Sequence, residues 1–254
     1  MEKLKNVPAL GRSEMTSIID QGGLANEAAH DVLLNVSNLT VKSDRNAILE
    51  NVSFSARKGT TLAIVGPNGA GKTTLFRALL NVTPYTGKIE WSKKVRIGYV
   101  PQQFSVTDVP IAVSEFLSLK CKADFEGCLA AVGLESTGTL NKKLEVLSGG
   151  EMERVLIAWA IVDKPDVLLF DEPTASVDIG SKEVVYETLS TLEKETGITV
   201  LLITHDTHVV MHYSDSVLAL NRGVLYFGDS KKLTDPELLE RIYGSGSILK
   251  AHEH

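Results

Sequence analysis

The sequence predicts an α/β protein built on a mostly parallel sheet, and three observations carry that prediction. Thr61-Leu-Ala-Ile-Val65, Val167-Leu-Leu-Phe170 and Val200-Leu-Leu-Ile203 are short, unbroken apolar runs, the texture of strands covered on both faces. Stretches with helical spacing separate them, and strand alternating with helix is the pattern of a parallel sheet joined by crossovers. A glycine-rich turn, Gly66-Pro-Asn-Gly-Ala-Gly-Lys-Thr73, follows the first run directly.

The elements follow in chain order. Residues 1–31 show no sustained period and read as an N-terminal extension. Val32–Val41 and Ile48–Ser55 alternate apolar and polar side chains around the polar stretch Ser43-Asp-Arg-Asn46, a strand, turn and strand that start an antiparallel β subdomain. Thr74–Leu80 has helical spacing. Between Val109 and Leu134 apolar residues recur at steps of three and four, predicting a helical insert within about residues 104–162 that ends in a helix from Gly150 to Val162. Ser181–Thr196 is a further helix between two buried strands. Asp215–Leu220 and Gly223–Gly228 read as a hairpin around Asn221-Arg-Gly, Asp235–Tyr243 as a last helix, and residues 246–254 as a tail.

Composition excludes several classes. With 26 Lys+Arg against 32 Asp+Glu the net charge is −6, which argues against a surface built to neutralise a nucleic-acid backbone. The longest apolar run, Val155–Val162, has eight residues, less than half of the ~20 a membrane span needs. The first residues lack the apolar core of a secretory signal, so a cytoplasmic location is expected. Cys121 and Cys128 then read as buried thiols.

The glycine-rich turn fits the pattern G-x-x-x-x-G-K-[ST], a loop whose consecutive backbone N–H groups ring nucleotide phosphates. Gly66, Pro67, Asn68, Gly69, Ala70, Gly71, Lys72, Thr73 and Thr74 are the candidate contacts. Lys72 adds a positive charge, the helix behind it adds its dipole, and the Thr73 hydroxyl is a ligand for Mg²⁺. Asp171 and Glu172 end an apolar strand, where open α/β sheets place their chemistry; Asp171 suits Mg²⁺, and Glu172 suits polarising a water for in-line attack. His205 ends another strand. From the local sequence it is either a surface residue or a group that holds the γ-phosphate.

Leu147-Ser-Gly-Gly-Glu151 ahead of a helix supplies a second phosphate-binding surface. With the two motifs above it resembles the signature of ABC-type ATPases, with Glu151 for the usual Gln, and the similarity spans about residues 32–245. The resemblance implies a P-loop cassette in which Ser148, Gly149, Gly150 and Glu151 cover ATP held by a second copy, giving a head-to-tail dimer around ATP and Mg²⁺. Gly98-Tyr-Val-Pro-Gln102 resembles the loop that leads into the helical insert, with Gln102, rather than Gln103, reaching Mg²⁺ or the lytic water. Ser176-Val-Asp178 resembles the loop that crosses the dimer interface, and His205 becomes the switch histidine.

His205-Asp-Thr-His-Val-Val-Met211 and the signature stretch resemble the ATP-binding subunits of zinc- and manganese-type importers. That implies membrane-spanning permease partners, an associated metal-binding solute-binding protein, and a peripheral place on the cytoplasmic face. Iron-chelate importers, a non-transport ABC switch and a cassette that binds nucleotide without productive hydrolysis are the alternatives. Two positions depart from the family pattern. Ser43 stands where an aromatic ring usually meets adenine, and Trp159 lies between Ala158 and Ala160 where an arginine is usual, facing either the core or a partner. His252 and His254 read as part of a solvated tail.

Overall fold

The computed structural model describes residues 31–43, 46–102, 104, 110–120, 124–172 and 179–244. The extension at 1–30, Cys121, Gln103, Asp178 and the tail from 245 onward therefore lie outside the described residues.

Two sheets organise these segments. A three-stranded antiparallel sheet has the order β2–β1–β4, formed by β1 (Val32–Ser43), β2 (Asn46–Arg57) and β4 (Thr86–Trp91). The larger sheet has six strands in the order β5–β6–β7–β3–β8–β9. Its members are β3 (Thr61–Val65), β5 (Ile97–Val100), β6 (Val167–Asp171), β7 (Thr199–Ile203), β8 (Ser216–Asn221) and β9 (Gly223–Asp229). Neighbours from β5 to β8 pair in parallel, and only the β8–β9 hairpin is antiparallel. The predicted α/β class with a mostly parallel sheet and a separate antiparallel one is what the chain adopts.

The unbroken apolar runs are explained by cores on both faces. In β6, Leu168 and Phe170 face one core while Val167 and Leu169 face another. In β7 the same alternation sends Val200 and Leu202 one way and Leu201 and Ile203 the other. Every residue of β3, β6 and β7 is buried, so no polar face shows in their sequences.

Helices cover the large sheet. Helix α1 (Lys72–Leu79) buries Leu75, Phe76 and Leu79 in the core it shares with β2 and β6. Between β5 and β6 come α2 (Val113–Ser118), α3 (Phe125–Ala131), α4 (Ser136–Thr139) and α5 (Gly149–Ile161). Helices α6 (Ile179–Thr196), α7 (Thr207–Tyr213) and α8 (Pro236–Tyr243) follow. Trp159 packs against the helical core, its ring stacked on Phe116 at 5.7 Å and 25° and capped by the Lys120 ammonium at 4.9 Å, which decides its role in favour of packing. Cys128 is half-buried against the same core.

Three elements exceed the sequence reading. β4 is largely exposed, and only Ile89 and Trp91 lean on the core, so it carries too little apolar pattern to read as a strand. β5 has four residues and α7 seven, too short for periodicity to register.

Candidate active site

The parallel strands run in one direction, and their carboxyl ends gather the predicted groups. Buried β3 delivers Gly66, whose φ of 148° and close approach to the β8–β9 hairpin exclude a side chain. A Cβ there would lie 2.0 Å from the Leu220 carbonyl oxygen. Gly71 caps α1 at φ 98°, where a Cβ would meet Leu49 at 2.5 Å. Between them the Ala70 N–H donates to the Pro67 carbonyl at 3.1 Å, and the Arg222 N–H donates to the Ala70 carbonyl at 3.1 Å, fixing the loop to the hairpin. Asn68 and Gly69 are exposed.

Lys72 is buried, and its ammonium donates to the Gly66 and Pro67 carbonyls at 2.8 and 3.2 Å. Burial lowers its pKa, while the carboxylates of Glu172 and Asp171 act in the opposite direction. The Thr73 hydroxyl donates to Asp171 Oδ1 at 3.3 Å. Asp171 is only 1% exposed, and burial pushes its carboxyl up while hydrogen bonds from Thr73 and Tyr99 pull it down. Tyr99 donates to Asp171 Oδ2 at 3.4 Å, and burial followed by the Asp171 charge raises its hydroxyl to about 12. It stays a proton donor to that carboxylate at any physiological pH. The sequence reading missed Tyr99. The signal was its alternation with Val100 on β5, beside the strand that ends in Asp171.

Glu172 has a left-handed φ of 45°, held by its N–H donating to the Ile203 carbonyl at 3.0 Å. That turn aims the side chain between two partners. Gln102 Nε2 donates to Oε2 at 2.7 Å, and His205 Nδ1 meets Oε1 at 2.7 Å. A carboxylate only accepts, so the Nδ1 position carries the proton. Glu172 is shielded while the His205 side chain is 58% exposed. Three groups from separate chain segments thus form one cluster beside Lys72, Thr73 and Asp171.

Ser148, Gly149, Gly150 and Glu151 make a separate arrangement. The Ser148 hydroxyl accepts from the Glu151 N–H at 3.2 Å, and Glu151 Oε2 accepts from the Ser148 N–H at 2.9 Å, a reciprocal cap of α5. Because its oxygen is an acceptor there, the Ser148 hydroxyl keeps its proton for another acceptor. Lys142, also missed in the sequence, pairs with Glu151 Oε1 at 2.9 Å. That hydrogen bond, with those to Ser148, holds the carboxyl down at about 2. Ser148 and Gly149 are exposed at the helix N-terminus, where N–H groups and the dipole favour an anion. Among the described residues, no hydrogen bond or ion pair links this surface to the Lys72 cluster.

The geometry fits a nucleotide phosphate chain, since the loop is a glycine-lined cradle at a helix N-terminus. Thr73, Asp171 and the Gln102 amide offer oxygen donors only, which suits a hard cation such as Mg²⁺ rather than a nitrogen- or sulfur-seeking metal. A cavity of about 840 Å³ lined by Lys58, Lys93, Arg96, Cys128 and Asp166 lies at the opposite, amino-terminal ends of the strands. Ser43, at the end of β1, is exposed.

Comparison with known proteins agrees with this geometry. The family model described as ABC transporter matches residues 49–175. The chain is 37% identical over 217 residues to the zinc import ATP-binding protein ZnuC of Jannaschia sp. (strain CCS1), covering 84% of this chain and 89% of that protein. The ZnuC of Haemophilus influenzae is 36% identical over 225 residues, covering 87% of this chain and 84% of that protein. Among solved structures, one described as an inward-facing, metal-chelate type ABC transporter superposes with a TM-score of 0.75 at 27% identity, covering 84% of this chain and 89% of that one.

Proposed function

The chain belongs to the ABC transporter family, and from that premise we propose that it is the ATP-binding and hydrolysing subunit of a zinc importer. The observation that carries hydrolysis is the Glu172 carboxylate clamped at 2.7 Å by both Gln102 and His205, next to the P-loop. The choice of zinc rests on relatives named for zinc import that align over more than four-fifths of the chain.

In this reading the P-loop amides and Lys72 bind the phosphates of ATP, the ammonium exchanging its two carbonyl partners for phosphate oxygens. Thr73, Asp171 and Gln102 would hold Mg²⁺, which would supply charge neutralisation at the phosphates. Tyr99 keeps Asp171 oriented. Glu172 accepts a proton from the attacking water, and His205, through its Nδ1–H, holds the carboxylate in place. The exposed Ser148 hydroxyl and the Gly149 and Gly150 amides cover the γ-phosphate bound to a second copy. Two copies would then dock on membrane-spanning subunits at the cytoplasmic face, supplied with cargo by a metal-binding solute-binding protein. Among the described residues no helix is long and apolar enough to cross a membrane, so in this assembly the partners supply the spans.

A complementation experiment tests the whole reading. In a strain lacking this gene, growth in zinc-depleted medium is restored by the wild-type allele and by added zinc. The Glu172→Gln allele does not restore it, and the purified variant binds ATP while hydrolysis falls by about 10²–10⁴-fold. Wild-type turnover in the variant would overturn the role of Glu172, and rescue by manganese instead of zinc would overturn the cargo.

A further inference from the structure

Helix α7 carries two histidines that the hydrolytic site does not use. His208 and His212 are one turn apart, both exposed, with ring centroids 4.0 Å apart and planes inclined by 26°. Residues four apart on a helix lie on one face, and side chains lean toward the N-terminus, so the His212 ring folds back over the preceding turn. It is locked there by a 2.9 Å hydrogen bond between its Nδ1 and the His208 backbone carbonyl. A carbonyl only accepts, so Nδ1 carries the proton and Nε2 presents a lone pair to solvent. An imidazole whose second nitrogen is tied to a backbone carbonyl is the arrangement that orients histidine as a metal ligand.

We propose that His208 and His212 form a surface site for one divalent transition cation of the Zn²⁺, Ni²⁺ or Cu²⁺ class. Two nitrogens bound at about 2.0–2.1 Å to one tetrahedral ion stand about 3.3 Å apart, so the rings, stacked with centroids 4.0 Å apart, fan out of their stack until both lone pairs converge on the ion, a rearrangement open to two exposed side chains. The donors are nitrogen only, so the site ignores Mg²⁺ and Ca²⁺. Among the described residues no third His, Cys, Asp or Glu joins them, and water completes the coordination. The Asp206 carboxylate is engaged in capping the helix, accepting from the His208 and Val209 N–H groups at 2.9 and 3.3 Å. The pair exists only when α7 is folded, so the cation stabilises the native chain by mass action. The site stands on this geometry and is independent of the transport reading.

Titration of the full-length chain with Ni²⁺ and with Zn²⁺, without nucleotide and in excess Mg²⁺, tests the site by calorimetry and by thermal unfolding. Wild type takes up one Ni²⁺ per chain and its Tm rises with Ni²⁺ concentration. His208→Gln and His212→Gln each abolish both responses with unchanged circular dichroism, since both side chains are exposed. The double variant His252→Gln/His254→Gln and the variant His205→Gln keep them. With Cu²⁺, the electron paramagnetic resonance spectrum shows hyperfine coupling to two imidazole nitrogens. Retention of wild-type binding in either α7 variant, or loss of binding in the His205 or tail variants instead, overturns the proposal.

Discussion

Glu153 sits two residues beyond the signature motif and only 7% exposed, with Oε2 lacking a hydrogen-bond partner. Burial raises its carboxyl to about 8, and the Lys182 charge offsets this only in part. An acid raised in the folded state holds a proton that the unfolded chain has already released. Between the ordinary glutamate value of about 4.3 and about 8 the unfolded state therefore binds fewer protons, and stability falls as pH rises. The contribution is complete below the lower value and lost as pH passes through the upper one. Glu153→Gln removes the titrating group while keeping its shape, so the Tm of wild type declines from pH 5 to 8.5 more steeply than that of the variant. Parallel slopes would show that Glu153 is ionised or solvated in the native state. Glu151 behaves oppositely: Lys142 and Ser148 hold its carboxyl at about 2, so its contribution is present above the ordinary value and is lost as pH falls from there through about 2.

At the scale of elements, what the sequence discloses depends on how a segment is buried. β3, β6 and β7 are legible because cores lie on both faces. α5 is legible because Ser148 and Glu151 are spaced as a capping box and Val155–Ile157 follow. β4 and α7 fail that test, one for exposure and the other for length; Asp206 caps α7 in the structure, a start signal that the sequence reading did not use. At the candidate site, the P-loop, Asp171 and Glu172 are readable from strand ends, whereas the local sequence leaves the role of His205 open. Tyr99 and Lys142 were not, because each works through a partner distant in sequence: Tyr99 bonds Asp171 across β5 and β6, and Lys142 bonds Glu151 across a loop. Gly98 shows the same dependence on packing. A Cβ there would lie 2.7 Å from the Ala160 carbonyl oxygen of α5, so β5 and α5 approach as backbone on side-chain-free backbone. Gly98→Ala forces them apart at a cost of about 1–3 kcal/mol, which for a chain of this size lowers Tm by about 2–4 °C per kcal/mol. Gln102 follows that strand, so ATPase activity falls along with stability. Unchanged melting and turnover would mean that the strand shifts freely.

The whole molecule presents two candidate phosphate-binding surfaces that no hydrogen bond or ion pair among the described residues links, one built on Lys72 and one on Ser148. A chain with both, dimerising about a two-fold axis, places its own Ser148 surface on its partner's P-loop and receives the reverse. Each composite site then draws one half from each copy, which a mixing experiment detects. Lys72→Ala disables the P-loop half, and Gly150→Asp, which sets a carboxylate beside the anion-binding N-terminus, disables the other. Each variant alone is inactive, since every site contains a defective half. In a mixed dimer the two defects fall on the same site, and the second site combines the sound P-loop of one chain with the sound signature of the other. Mixing the inactive proteins with ATP therefore restores hydrolysis that neither has alone, rising as the proportions approach equality. A mixture no more active than its components would place both halves of each site within one chain and remove the physical reason for a head-to-tail pair.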